Sequence, residues 1–148
     1  MTTATAVIDR RGAPDRRRFS DLQIVTETDP LTGLRCRRKG KELIEKLLSS
    51  GEKGSLLILD LDQFRQINQI YSHSKGDLIL KRFAEILKIY TRSEDVVCRY
   101  DGDRFLIFYR GFTDAELLSE RCSRLIAKTE YIIWEMLDDM LRSEFSVR

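Results

Sequence analysis

Two apolar runs, Val96-Val97-Cys98-Arg99-Tyr100 and Phe105-Leu106-Ile107-Phe108-Tyr109, flank Asp101-Gly102-Asp103. An Asp-Gly pair between such runs is a strong signal for an antiparallel hairpin, because glycine permits the backbone of a tight turn. A further run, Leu56-Leu57-Ile58-Leu59, is short, unbroken and closed by Asp60, as in a central buried strand. Whatever else the chain does, it builds a sheet that contains these three segments.

The segments between them read as helices. Asp29-Pro30-Leu31-Thr32-Gly33 is a turn, since Pro30 keeps its predecessor out of helix and Gly33 permits a positive φ. A helix follows near Arg38 to Leu48, with Leu43, Ile44, Leu47 and Leu48 inward. Asp62 is the expected cap of a helix that turns Phe64, Ile67 and Tyr71 inward, and Ser72 to Gly76 reads as a polar loop. The next helix, near Asp77 to Tyr90, aligns Leu80, Phe83, Leu87 and Tyr90. From Thr113, the expected N-cap, to about Leu141 there is no glycine or proline, so one long helix or two abutting ones follow. Glu144 to Arg148 is the expected start of a last strand. In front, Ser20-Asp21 is read as capping a short helix through Glu27, and residues 1–19 as a mobile arm. The expected architecture is α/β in the α+β sense: a βαββαβ core with helices packed against one face of the sheet, in one domain spanning residues 20–148.

Composition narrows the function classes. The net charge of +2 balances 26 cations against 24 anions, so no overall field draws the chain to nucleic acid. The basic character is local to Arg10, Arg11, Arg16, Arg17 and Arg18, which reads as a solvated tail. Three cysteines without CxxC spacing exclude a disulfide framework and a zinc site. No run approaches the length of a membrane span, and no leader is visible, so a cytoplasmic protein without membrane or nucleic-acid partners is expected.

Asp60 ends a buried strand and Asp103 sits in the hairpin turn. In a sheet where those strands are neighbours both carboxylates reach one edge. Two carboxylates with a backbone carbonyl make a hard oxygen site for magnesium bearing a phosphate. Aspartates at strand ends and turns also serve local hydrogen bonds, so the pattern alone leaves both readings open.

Four motifs in order add to this reading: Asp29-Pro30-Leu31-Thr32-Gly33-Leu34, Asp60-Leu61-Asp62-Gln63-Phe64-Arg65-Gln66-Ile67-Asn68, His73-Ser74-Lys75-Gly76-Asp77 and Arg99-Tyr100-Asp101-Gly102-Asp103-Arg104-Phe105. Over residues 29 to about 110 the chain resembles the GGDEF, or diguanylate cyclase, family through its DxLTGL, DxDxFKxxND, HxxGD and RYGGDEF motifs. The resemblance implies a ferredoxin-like nucleotide-cyclase palm. It implies that Asp60, the Leu61 carbonyl and Asp103 hold Mg2+ with GTP, and that Asn68 and Asp77 read the guanine edge. An amide and a carboxylate suit guanine's mixed donors and acceptors. A solvated helix residue and a helix cap are the plainer readings of Asn68 and Asp77. Arg92-Ser93-Glu94-Asp95 resembles the family's RxxD site, with five residues between Asp95 and Asp101, which implies cyclic di-GMP binding by Arg92 and Asp95. An arginine at a helix C-terminus also complements the dipole.

The departures from the family pattern point away from catalysis. Asp101 stands where the signature has glycine, and Arg104 replaces its glutamate, positioned to pair with Asp60 or Asp101 and take the metal's place. Arg65 stands for lysine, Gln69 for aspartate and Ser72 for glycine. The family pattern would continue beyond Arg148 through an SxG strand, a last helix and a basic loop. The function expected is therefore a degenerate GGDEF domain, not an enzyme and requiring no cofactor, that receives cyclic di-GMP and passes the signal to a protein partner. The alternatives are a residual diguanylate cyclase and a nucleotide-independent dimerisation module, its long last helix offering Ile132, Ile133, Met136 and Leu137 to a partner or a second copy. His73 is expected to pack a loop, and Trp134 to serve the core or a partner-facing stripe.

Overall fold

The hairpin forms the middle of the sheet. The computed structural model describes residues 27–145. It contains β1 (Arg35–Cys36), α1 (Arg37–Ser49), β2 (Gly54–Asp60), α2 (Phe64–Tyr71), α3 (His73–Tyr90), β3 (Val96–Asp101), β4 (Arg104–Arg110) and α4 (Ala115–Phe145). The strands order as β1-β3-β4-β2. β3 and β4 pair antiparallel, with Val96 opposite Phe108 and Cys98 opposite Leu106, and the register shifts between Arg99 and Asp101 where the chain enters the turn. β2 lies antiparallel on the far side of β4, with Leu57 opposite Ile107 and Asp60 opposite Arg104. β1 pairs parallel to β3. This is the mixed α+β palm that the motifs imply.

Alternation along the strands sends apolar side chains to both faces, so helices cover both, where the sequence reading placed them on one. Leu57, Leu59, Val97, Phe105, Ile107 and Tyr109 face Leu80, Phe83, Ala84 and Leu87 of α3 and Leu125 of α4. Val96, Cys98, Leu106 and Phe108 face Ile44 of α1. Continuous apolar runs are the mark of strands buried on two sides. The second face is close: a Cβ on Gly40 of α1 would collide with the Cys98 side chain. Burial pushes the Cys98 thiol up to about 11.

Several local expectations are corrected. The N-cap of α2 is Gln63, not Asp62; it lies in the left-handed region at φ 60°, and its own side chain makes no cap hydrogen bond. The expected loop at Ser72 to Gly76 is a single residue, Ser72 at φ 107°, after which α3 begins at His73. Its first turn is polar because it faces outward, and polarity there does not signal loop. Asp114, not Thr113, caps α4, its Oδ1 accepting from the Glu116 and Leu117 N–H groups at 3.0 Å each. α4 is one helix of 31 residues that runs through Phe145, so the strand expected from Glu144 does not start there. The rest of that segment, the arm of residues 1–19 and the helix expected before Glu27 lie outside the described residues. Among the described residues no helix is long and apolar enough to cross a membrane. Leu137 is buried, whereas Trp134 on the same helix is 70% exposed.

Candidate functional site

The structure sorts the expected site residues into two separate places. The first is the turn end of the hairpin. Asp60 closes β2, Asp103 sits in the β3–β4 turn, and the Leu61 N–H donates to the Asp103 carbonyl at 3.3 Å. Asp103 also lines a cleft of about 470 Å³ with Asn68 of α2, Asp77 of α3, Arg65, His73 and Arg99. Asp60 and Leu61 line the adjoining groove between α2 and α4, and Phe64 borders both. Four motif residues far apart in sequence thus meet at one end of the sheet, and His73 lies in the cleft with them.

Gly76 makes the position of Asn68 attainable. A Cβ there would collide with Asn68 Oδ1, which is buried without a hydrogen-bond donor. Such an acceptor is satisfied by ordered water or by a group from outside the chain.

Charge at the hairpin end is divided. Burial, and then the like charge of Asp103, raise the Asp60 carboxyl above its ordinary value, with Arg104 opposing. Two carboxylates that repel one another, with a backbone carbonyl beside them, suit a hard divalent cation whose remaining ligands are phosphate and water. No group of three or more His, Cys, Asp or Glu among the described residues holds a metal by itself. Asp60, the Leu61 carbonyl and Asp103 are oxygen donors of the kind that magnesium takes together with a phosphate. Arg104 pairs across the turn. Its Nη2 donates to Asp101 Oδ2 at 2.5 Å, an ion pair that holds the Asp101 carboxyl below the usual carboxylate range. Arg99 braces the turn, donating to the Gly102 carbonyl at 2.7 and 2.8 Å and to Asp29 at 3.2 Å.

The second place is the corner where α3 gives way to β3. Asp95 is fully buried, and both its oxygens are engaged. Oδ2 accepts from the Arg92 N–H at 2.8 Å, and Oδ1 accepts from the Arg110 N–H at 3.0 Å and from Arg92 Nη2 at 3.3 Å. Arg92 Nη2 also donates to the Arg110 carbonyl at 2.9 Å, while its side chain stays 44% exposed. Arg92 Nη1 also pairs with Glu94 at 3.3 Å; Asp95 is thus a brace, and Arg92 a half-exposed group shared between two carboxylates. Arg92 lines a cleft of about 420 Å³ with Arg35, Lys39 and Lys88, cations that the sequence reading passed over, and with Glu27, which pairs with Lys39 at 2.9 Å. Lys88 lies in the last turn of α3, which ends at Tyr90, two residues before Arg92. Arg121 of α4 reaches the same corner, donating to the Tyr90 carbonyl at 2.9 Å and lying 4.8 Å from the Tyr109 ring centroid.

The chain belongs to the GGDEF family: the family's model, diguanylate cyclase, GGDEF domain, matches residues 26–139. It is 31% identical over 115 residues to the diguanylate cyclase DgcS of Shewanella oneidensis, covering 75% of this chain and 38% of that one. It is 38% identical over 95 residues to diguanylate cyclase A of Treponema denticola, covering 60% of this chain and 26% of that one. The chain thus spans less than two fifths of the length of either curated relative. In fold it is similar to the GGDEF domain of DgcB from Caulobacter crescentus, solved in complex with c-di-GMP, with a TM-score of 0.62, 20% identity and coverage of 71% of this chain and 63% of that one.

These relatives correct the expectation that the chain is not an enzyme. The family is a family of diguanylate cyclases, and the curated relatives are named as such. In the structure Arg104 pairs with Asp101 across the turn, one of the two partners that the sequence allowed it.

Proposed function

We propose that this GGDEF domain is a cyclic di-GMP receptor module that binds the dinucleotide at the α3–β3 corner and keeps a guanine-nucleotide cleft at the hairpin end. The observation that carries the proposal is the accessible Arg92 guanidinium, held in place by a fully buried Asp95 in a cleft with three further cations. A guanidinium donates two parallel hydrogen bonds to a phosphate or to the acceptor edge of guanine. Asp95 orients it, and Lys88, Arg35 and Lys39 offset the charge of two phosphodiesters. At the other end Asn68 and Asp77 face guanine, and Asp60, the Leu61 carbonyl and Asp103 hold magnesium with GTP.

Calorimetric titration with cyclic di-GMP tests this. Arg92→Ala removes charge-assisted bonds worth roughly 1.5–3 kcal/mol each, so affinity falls about tenfold to several hundredfold. Asp95→Asn weakens binding and also destabilises the fold, because it puts an N–H donor against a backbone donor. Asp103→Asn leaves cyclic di-GMP affinity nearly unchanged. The opposite pattern, with Asp103→Asn abolishing binding and Arg92→Ala silent, would overturn the proposal.

A second reading, turnover of GTP to cyclic di-GMP at the hairpin end, is favoured by the Asp60–Asp103 pair that Arg104 leaves open. Its readout is product formed from GTP and magnesium and lost in Asp60→Asn.

A further inference from the structure

The groove between α2 and α4 has a volume of about 490 Å³ and is lined mainly by apolar side chains, Phe64 and Ile67 of α2 and Leu125, Ile133 and Leu137 of α4 among them. Its α4 wall runs from Leu125 to Leu137, about 18 Å at about 1.5 Å per residue. Two large apolar residues of the lining stand mostly in solvent, Ile70 at 72% and Trp134 at 70% exposure. Neither serves the core. An exposed aliphatic and an exposed aromatic side chain beside an apolar groove are what a protein interface uses as anchors.

Charge selects the occupant. Among the described residues the lining includes Asp60, Asp62 and Glu130 and no lysine, arginine or histidine. The two other clefts differ: one gathers Arg35, Lys39, Lys88 and Arg92, and the other holds Arg65 and Arg99. In a chain with 26 cations, a groove without any is set apart from the rest of the surface. Its carboxylates repel nucleotides, anionic lipids and acidic peptides, and they attract lysine and arginine. The shape narrows the choice further. Two helices form the walls, and about 18 Å of wall matches about three turns of a third helix laid along them by its apolar face.

We propose that the α2–α4 groove docks an amphipathic helix of a partner protein, whose apolar face packs on Ile70 and Trp134 and whose flanking lysines or arginines meet the carboxylate rim. Phe64 borders both this groove and the cleft of Asn68 and Asp77, so a helix seated here abuts the hairpin end. The proposal does not depend on where nucleotides bind, since Ile70, Glu130 and Trp134 line neither of the other two clefts.

Trp134 is the only tryptophan of the chain, so its emission reports directly on the groove. The full chain is titrated with a tryptophan-free synthetic helix of about 14 residues, about 21 Å long, with leucine on one face and lysine on both flanks. A second helix carries glutamate in place of lysine. The lysine helix is expected to move Trp134 emission to shorter wavelength and to bind about tenfold or more tightly than the glutamate helix at low salt. Ile70→Ser weakens the lysine helix about tenfold, and Glu130→Lys narrows the preference between the two helices. Both positions are exposed, so the fold tolerates the changes. Equal affinity for the two helices, binding untouched by both substitutions, or no shift with either helix overturns the proposal. An emission that shifts when the protein alone is diluted, or when residues 1–19 are removed, also overturns it, because a second copy or the chain's own front segment then fills the groove.

Discussion

Asp29 ties the segment before β1 to the hairpin. Its Oδ2 accepts from the Thr32 N–H at 2.8 Å and the Thr32 hydroxyl at 2.7 Å, and Arg99 reaches it from β3 at 3.2 Å. Burial works against its charge, but the hydrogen bonds from Thr32 and then the Arg99 guanidinium hold its carboxyl below the usual range. A carboxyl depressed on folding contributes stability above its unfolded value, near 3.9, and loses that contribution as pH falls through the folded value. Asp29→Asn is therefore expected to cost about 1–2 kcal/mol at neutral pH. In urea unfolding the gap between the two proteins closes as the pH is taken below about 3.9. An undiminished gap in acid would show that the charge is not what matters. At this scale the turn was legible in the sequence: Gly33 does adopt φ 67° and donates to the Asp29 carbonyl at 2.8 Å. Its partner Arg99 was not, since nothing local links residues 70 positions apart.

Elements with a clear period were read correctly, and those defined by tertiary pairing were not. α1, α3 and the hairpin announce themselves by apolar spacing. β1 is two residues long and exists only because Arg35 and Cys36 pair with β3, so no pattern signals it. The false loop at Ser72 to Gly76 arose from reading its polarity as loop, whereas Gly76 is a buried helix residue that makes room for Asn68. Gly40 poses the same contrast in a testable form. On an open helix face glycine to alanine stabilises by up to about 1 kcal/mol. At Gly40 the added methyl meets the Cys98 side chain on a buried strand, and overpacking costs typically 1–3 kcal/mol. Gly40→Ala is expected to lower the thermal midpoint. A midpoint that rises would mean that α1 sits farther from β3 than described.

In the whole molecule the two places of interest lie at different ends of the hairpin strands. β3 begins next to Asp95 and finishes at Asp101, so Arg92 and the Asp103 cleft are separated by the length of that strand. Both were legible as motifs, because a short run of unusual residues survives any uncertainty about packing. What the sequence withheld was how the charges are satisfied: Arg104 on Asp101 instead of Asp60, Asp95 buried as a brace, and Lys88, Arg35 and Lys39 gathered beside Arg92. Those are side-chain choices made by the folded surroundings, and no local pattern announces them. The separation of the two places makes the central claim directly testable. Amide hydrogen exchange of the full chain, with and without saturating cyclic di-GMP, reports where the dinucleotide sits. The account predicts slowed exchange at Thr91 to Asp95 and at Arg110, with the Asp101 to Asp103 turn and α2 unchanged. Protection confined to that turn and α2, or none anywhere, would contradict it.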